Sequence, residues 1–254
     1  MEKRIDQFRN SKGLRLTLEY YKGLQDFFAP YFYWISTHFQ IQKVLYPGSY
    51  IHITPSFFFS EVVYVDSYKK CRLTFNDNQL SLLIDKLKFY KEKSKLRFHL
   101  KDYRSDLGEK KHNFDLIISL SSGFVSIACS EYLKKGAILL ADDEHNDASR
   151  AYVSEQFNLI GVLNEQSSSN RHHSHKMKFN WKDYKSSASI AKLKQKIIQE
   201  NNISFQNKHL EDYFLTTKNK RLTLHMVEEI LEKSPSKLTY KLKKTANLYL
   251  FKKL

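Results

Sequence analysis

Apolar residues recur along this chain in two rhythms, and the change from one to the other marks its organisation. Leu14, Leu18, Tyr21, Leu24 and Phe28 stand three or four residues apart, with Arg15, Glu19, Lys22 and Gln25 between them. That spacing puts one apolar stripe on a helix. It makes residues 1–40 an amino-terminal helical cover. After Pro30 the rings crowd together as Tyr31, Phe32, Tyr33, Trp34 and Phe39. They fit either a helix packed over the edge of a sheet or a wall of rings over a ligand.

From residue 43 the pattern alternates between short apolar runs and amphipathic stretches, as a parallel sheet with crossover helices requires. The runs 44–46 and 62–66 read as strands, joined through Pro47-Gly48-Ser49 and the phenylalanines Phe57 to Phe59. Leu80, Leu83, Leu87 and Tyr90 mark a helix, and a strand over 96–103 carries Asp102 near its end. A strand over 114–120 leaves through Ser119, Ser121, Ser122 and Gly123. A helix is expected over 124–134, closed by Lys134-Lys135-Gly136, where a cation and a left-handed glycine suit a carboxyl end. A strand over 137–141, a helix to about residue 156 and a sixth strand over 159–163 follow. The expected fold class is α/β.

Ser167-Ser168-Ser169-Asn170 has neither apolar residues nor period, so residues 164–174 read as a loop. Beyond it, Ile190, Leu193, Ile197 and Ile198 predict one helix, residues 209–216 a second and residues 223–233 a third, stopped by Ser234-Pro235-Ser236. The tail alternates at Leu238, Tyr240 and Leu242 and resumes at 248–251, which predicts two strands. The expected partition is a cover at 1–40, a core at 41–164, a helical insertion at 165–236 and closing strands at 237–254.

Composition adds limits. With 254 residues, 41% of them hydrophobic, and only 7 Gly and 4 Pro, the chain can bury a substantial core. Cys71 and Cys129 lack metal or redox spacing, which fits free thiols in a reducing, cytoplasmic compartment. The longest uncharged run, 27–42, is shorter than the ~20 residues a membrane span needs. The amino terminus has mixed charge and no apolar run of a secretory signal. Net charge is +15, and residues 165–254 carry 19 Lys+Arg against 8 Asp+Glu. A basic stretch of that kind attracts polyanions, so nucleic acid is a candidate partner of the carboxyl-terminal region.

The candidate chemistry gathers at strand ends. Pro47-Gly48-Ser49 presents backbone N–H groups with no side chain at Gly48, so a ligand can approach the main chain there. Asp66, at the next strand end, is placed to accept from a ribose diol, Asp102 from an adenine amino group, and Ser119 to Ser122 to floor the reactive end.

In order and spacing, Leu45-Tyr46-Pro47-Gly48-Ser49, Val63-Tyr64-Val65-Asp66, Lys101-Asp102-Tyr103, Phe114-Asp115-Leu116-Ile117-Ile118-Ser119 and Leu133-Lys134-Lys135-Gly136-Ala137-Ile138-Leu139-Leu140 resemble the motifs of Rossmann-like S-adenosylmethionine-dependent methyltransferases. The resemblance spans about residues 40–164. It implies a seven-stranded sheet closed by an antiparallel strand at 248–251, helices on both faces, and S-adenosylmethionine as cofactor. It also implies a binding set of Gly48, Ser49, Tyr50, Asp66, Ser67, Asp102, Tyr103, Ser119 and Ser121. Where the family has two or three glycines in an acidic turn, this chain has Pro47-Gly48-Ser49-Tyr50. Leu120-Ser121-Ser122-Gly123 stands where nucleobase amino-methylating enzymes carry Asn/Asp-Pro-Pro-aromatic, and no catalytic residue or methyl acceptor is assigned.

Two clusters tempt a metal: Asp142-Asp143-Glu144-His145, which reads better as loop acids capping a helix, and His172, His173 and His175, which lack an acid or cysteine partner at ligand spacing. No metal is expected. A different reading takes the last third as a winged-helix module binding nucleic acid beside an inactive core, with 223–233 as recognition helix. Glu228, Glu229 and Glu232 on that helix would face phosphate.

Overall fold

A computed structural model describes residues 5–166, 179–200, 202–232 and 240–254. The histidines His172, His173 and His175 and the end of the expected 164–174 loop lie outside the described residues. The protein is α/β. Among the described residues its eight strands are β1 (Lys43–Pro47), β2 (Glu61–Val65), β3 (Lys95–His99), β4 (Phe114–Ser119), β5 (Leu133–Ala141), β6 (Phe157–Glu165), β7 (Ile203–Gln206) and β8 (Leu248–Lys253). They form one sheet in the order β3-β2-β1-β4-β5-β8-β6-β7. The count is eight rather than seven because β7, four residues long, adds an edge.

The chain divides into two compact units: Met1–Val44, Ser49–Asp102 and Gln166–Ile203 in the first, Leu45–Gly48, Tyr103–Glu165 and Ser204–Leu254 in the second. In the first unit β2 pairs parallel with β3, Glu61 opposite Lys95 and Val65 opposite His99. The apolar stripe foreseen over Leu14 to Phe28 is split: Leu14, Leu18 and Tyr21 lie on α1 (Lys12–Tyr21), Leu24 in a 3-10 turn, and Phe28 caps a second helix, α2 (Ala29–His38). The break falls at Lys22, which is left-handed (φ 64°) and whose N–H donates to Leu18 O, and at Gly23 (φ 60°). The buried Tyr184 hydroxyl fixes this corner, donating to Lys22 O at 2.7 Å and accepting from Leu24 N at 2.8 Å. Tyr31, Phe32 and Trp34 of α2 are buried, with the Phe32 ring 6.4 Å and 6.3 Å from Phe58 and Phe59. They are core rather than a wall open to ligand. Further along, α3 (Arg72–Phe75), α4 (Leu80–Leu87) and α7 (Ser187–Gln199) complete this unit. Leu80, Leu83, Ile84 and Leu87 form the inward face of α4, as their spacing requires.

In the second unit β4 runs parallel to β5, and β8 is antiparallel to both β5 and β6, with Leu140 opposite Leu250 and Gly161 opposite Leu250. Leu116, Ile117 and Ile118 are all buried, as a strand covered on both faces should be. The expected 124–134 helix is only α5 (Val125–Ala128), because Leu133 already pairs with Phe114. Gly136 (φ 78°) belongs to the register shift between the Phe114–Leu133 and Leu116–Ile138 pairs instead of capping a helix. The two remaining helices are α6 (Asp147–Tyr152) and α8 (Leu224–Glu232). Of the two expected tail strands, one is β8. The other is reduced to a bridge between Leu242 and Thr216, with Leu238 outside the described residues. Among the described residues no helix is long and apolar enough to cross a membrane.

Candidate functional site

Each unit contributes strand-end residues to the set foreseen from the sequence. In the first unit the segment after the β1 turn is pinned from several sides. Ser49 is buried and its N–H donates to Val65 O at 3.2 Å. Thr17 Oγ1 donates to Ile51 O at 2.6 Å. His52, 1% exposed, has Nε2 2.6 Å from Asp26 Oδ2, and its ring stacks on Tyr21 at 4.1 Å. Thr54 Oγ1 donates to the same Asp26 oxygen.

Asp66 follows β2 directly and is half-buried. Its Oδ2 accepts from Tyr50 N at 2.7 Å and its Oδ1 from Tyr68 N at 2.8 Å. The backbone turn at Tyr50 (φ 48°) is what turns that N–H to the carboxylate. Burial, and then the Asp66 charge, push the neighbouring Cys71 thiol up to about 12. A carboxylate offers about four acceptor sites, so the Tyr50 and Tyr68 amides together with the Cys71 thiol orient Asp66 and leave it about one further acceptor site. Ser67 is exposed beside it, and Asp102 is half-buried three residues beyond the end of β3, not inside the strand.

In the second unit Gly48 (φ 65°) is a tight approach. A Cβ there would stand 2.2 Å from Ser122 Cβ and 3.1 Å from Ser122 Oγ. The glycine is thus required by Ser122. Ser122 Oγ is buried and has no hydrogen-bond partner among the described residues, while its carbonyl accepts from Tyr103 Oη at 2.6 Å. Ser119 Oγ donates to Asp147 Oδ2 at 2.5 Å, and Ser126 donates to Asp147 through both N and Oγ. Ser121 (φ 49°) donates from N to Asp142 Oδ2 at 2.9 Å and from Oγ to Glu144 Oε2 at 2.6 Å. Asp143 receives Ser149 N and Oγ at 2.7 and 2.8 Å.

Burial outweighs these donors. It pushes Asp143 up to about 7 and Asp147 up to about 6, and raises Asp142 as well. The acids after β5 therefore organise the loops rather than gather around an ion: among the described residues no cluster of three or more His, Cys, Asp or Glu could hold a metal.

Within the first unit the structure brings together Tyr50 and Asp66, with Ser49 and Ser67 beside them in the chain. Within the second, Gly48 and Tyr103 converge on Ser122, while Ser119 and Ser121 each turn to a carboxylate of the β5 end. Two features escaped the sequence reading. Ser122 carries an orphan hydroxyl, and only its place in a run of serines hinted at it. The rings of Tyr20 and Tyr68 flank Tyr50, each 5.9 Å away, and nothing in helical spacing announces that meeting.

No family model matches the chain, and no curated protein matches it. Solved structures resemble it in part. The MccD protein structure overlaps 70% of this chain and 95% of its own, at TM-score 0.41 and 11% identity. An rRNA methylase from Streptococcus thermophilus overlaps 56% of this chain and 87% of its own, at TM-score 0.38 and 14% identity. A methyltransferase from Geobacter sulfurreducens overlaps 52% and 71%, at TM-score 0.37 and 18% identity. Overlaps of this size establish neither family membership nor an activity.

Proposed function

We propose that the protein is an S-adenosylmethionine-dependent methyltransferase, with Asp66 as the ribose anchor. The observation that carries this reading is the Asp66 carboxylate, half-buried directly after β2, with one backbone N–H on each oxygen and acceptor capacity to spare. An anchor for a diol needs that combination: fixed, accessible and unsaturated. The placement of β8 antiparallel between β5 and β6 supports the same reading, since it is the closing strand the motif resemblance implies.

Each unit by itself offers groups that fit the cofactor. On the first unit, Asp66 and Ser67 would take the ribose and Asp102 the adenine amino group, while the Ser49 and Tyr50 amides, donating to Val65 O and Asp66 Oδ2, hold the turn that presents them. The second unit, taken by itself, holds Gly48, Tyr103, Ser119 and Ser121 of the set that the resemblance implies; the Ser119 and Ser121 hydroxyls donate to Asp147 and Glu144, and Ser122 Oγ, without a hydrogen-bond partner among the described residues, is the polar group there suited to a ligand. The bound cofactor supplies an electrophilic methyl group on a sulfonium sulfur. The chain's own contribution is then to orient that group and an acceptor in line. A winged-helix reading of the tail is less favoured, because β8 is paired on both sides within the sheet and α8 carries Glu228 and Glu229.

The test is thermal stability in S-adenosylhomocysteine. Ligand that binds only the native state raises the melting temperature with concentration. We expect that rise in the wild-type protein and its loss in Asp66→Ala at the same ligand concentration. An Asp66→Ala protein that gains as much as wild type would remove Asp66 from the site.

A further inference from the structure

The sequence places the excess charge in the last third of the chain, but folding redistributes it. Counted over the sequence, the first compact unit holds 25 Lys+Arg against 12 Asp+Glu, a net of +13, and the second holds 17 against 15, a net of +2. Most of the field therefore arises from the unit that carries α1, α2 and β2.

One face of that unit combines cations with exposed rings. On α1, Lys12, Arg15, Leu16 and Tyr20 are exposed, Tyr20 by 61%. After β2, Tyr68, Lys69, Lys70, Arg72 and Leu73 are exposed, Tyr68 by 45%. Backbone contact joins the two segments: Thr74 Oγ1 donates to Gly13 O at 3.0 Å, and a Cβ on Gly13 would stand 1.8 Å from Leu73 O. Tyr50 links them through its ring, 5.9 Å from both Tyr20 and Tyr68. Lys70 Nζ lies 5.8 Å from the Tyr68 ring centroid. None of Lys12, Arg15, Lys69, Lys70 or Arg72 is held in a salt bridge among the described residues. Glu19 is the exposed acid on the outer face of α1, and Asp66 is the half-buried acid beside Tyr68.

We propose that this face, with Tyr20 and Tyr68 as stacking platforms and Lys12, Arg15, Lys69, Lys70 and Arg72 as phosphate contacts, binds single-stranded nucleic acid. Exposed rings beside exposed cations suit unpaired bases, which offer a π-face to stack and a phosphate at every step. A duplex keeps its bases stacked on one another and offers the rings nothing. An acidic protein would use the cations but would leave the two exposed tyrosines without a matching partner. The proposal stands whether or not the chain binds S-adenosylmethionine, because its stacking rings and its cations lie outside the cofactor-binding set; Tyr50, which belongs to that set, only packs between the two rings.

The full-length protein is titrated into fluorescein-labelled oligouridine and, separately, into a labelled RNA duplex of equal length, and anisotropy is read across a salt series. We expect oligouridine binding whose affinity falls with salt with a log–log slope of about −3.5 if five cations engage. Tyr20→Ala/Tyr68→Ala should weaken oligouridine by ~10-fold or more and leave duplex affinity unchanged. Lys69→Gln/Lys70→Gln/Arg72→Gln should reduce the slope by about 2. Both variants alter exposed side chains, and unchanged melting temperatures show that they fold. The proposal is overturned if oligouridine does not bind at low salt, or if the tyrosine variant binds it as wild type does. It is equally overturned if binding is lost on Lys241→Gln/Lys243→Gln/Lys244→Gln while both face variants retain it. S-adenosylhomocysteine titration of the same variants reports the cofactor separately, so either reading can fail alone.

Discussion

Asp66 is the residue on which the functional reading turns, and what makes it suitable is its backbone partners. A carboxylate held by the amides of Tyr50 and Tyr68 loses little further freedom when it accepts from a ligand. Removing it should weaken cofactor binding by about 1.5–3 kcal/mol, the range for a hydrogen bond to a charged group. Titration of Asp66→Ala measures this directly, and unchanged affinity would place the ribose elsewhere. The sequence showed the acid and its distance from Gly48. It could not show the Tyr50 amide, because the left-handed turn at a tyrosine goes against that residue's ordinary preference.

Gly48 gives a second test at the same scale. Gly48→Ala would need a side chain at φ 65° with its Cβ 2.2 Å from Ser122, so we expect a loss on the order of 1–3 kcal/mol in denaturant unfolding. Unchanged stability would show that the β1 turn is looser than described. Asp143 gives a third. Its folded value, about 7, lies above the ordinary 3.8, so between those values the native state holds a proton that the unfolded chain has released. This contribution is complete below the unfolded value and is lost as pH rises through the folded one. Asp147, raised to about 6, acts in the same direction. Melting temperature should therefore rise on moving from mildly alkaline to mildly acid buffer, and Asp143→Asn should flatten that dependence. An unflattened profile would contradict the assignment.

At the scale of elements, the strands were legible and the helix ends were not. Continuous apolar runs such as Leu116 to Ile118 read as buried strands because a strand covered on both faces leaves no polar positions. The end of α1 was missed because it depends on Tyr184, more than 160 positions away in the chain, whose hydroxyl satisfies the corner at Lys22 and Leu24. The Lys134-Lys135-Gly136 signal was real but served a strand irregularity, since pairing of Leu133 with Phe114 overrode the local helix preference. β7 was too short to register, yet Phe205 covers Gly161, where a Cβ would stand 2.1 Å from its ring. The most consequential element is β8, which joins β5 and β6 with Leu248 to Phe251 fully buried. Leu250→Ala should cost about 2–5 kcal/mol of unfolding free energy. Lys252→Ala, at an exposed position of the same strand, should cost no more than about 0.5. Equal effects would mean that β8 is an appendage.

At the scale of the whole molecule, the sheet order and the charge belong to different levels of reading. The order β3-β2-β1-β4-β5-β8-β6-β7 includes the antiparallel strand expected at 248–251, and its eight strands exceed the expected seven by the β7 edge. Charge counted by sequence thirds pointed to the carboxyl-terminal region, whereas charge counted by folded unit points to the unit that carries Asp66. The difference arises in part because residues 179–200, with five lysines, belong to the same compact unit as the amino-terminal part of the chain. Isothermal titration of the wild-type protein with S-adenosylhomocysteine tests the central claim most directly. Saturable heat with a stoichiometry of about one ligand per chain is the predicted result, and no heat at millimolar ligand would contradict it.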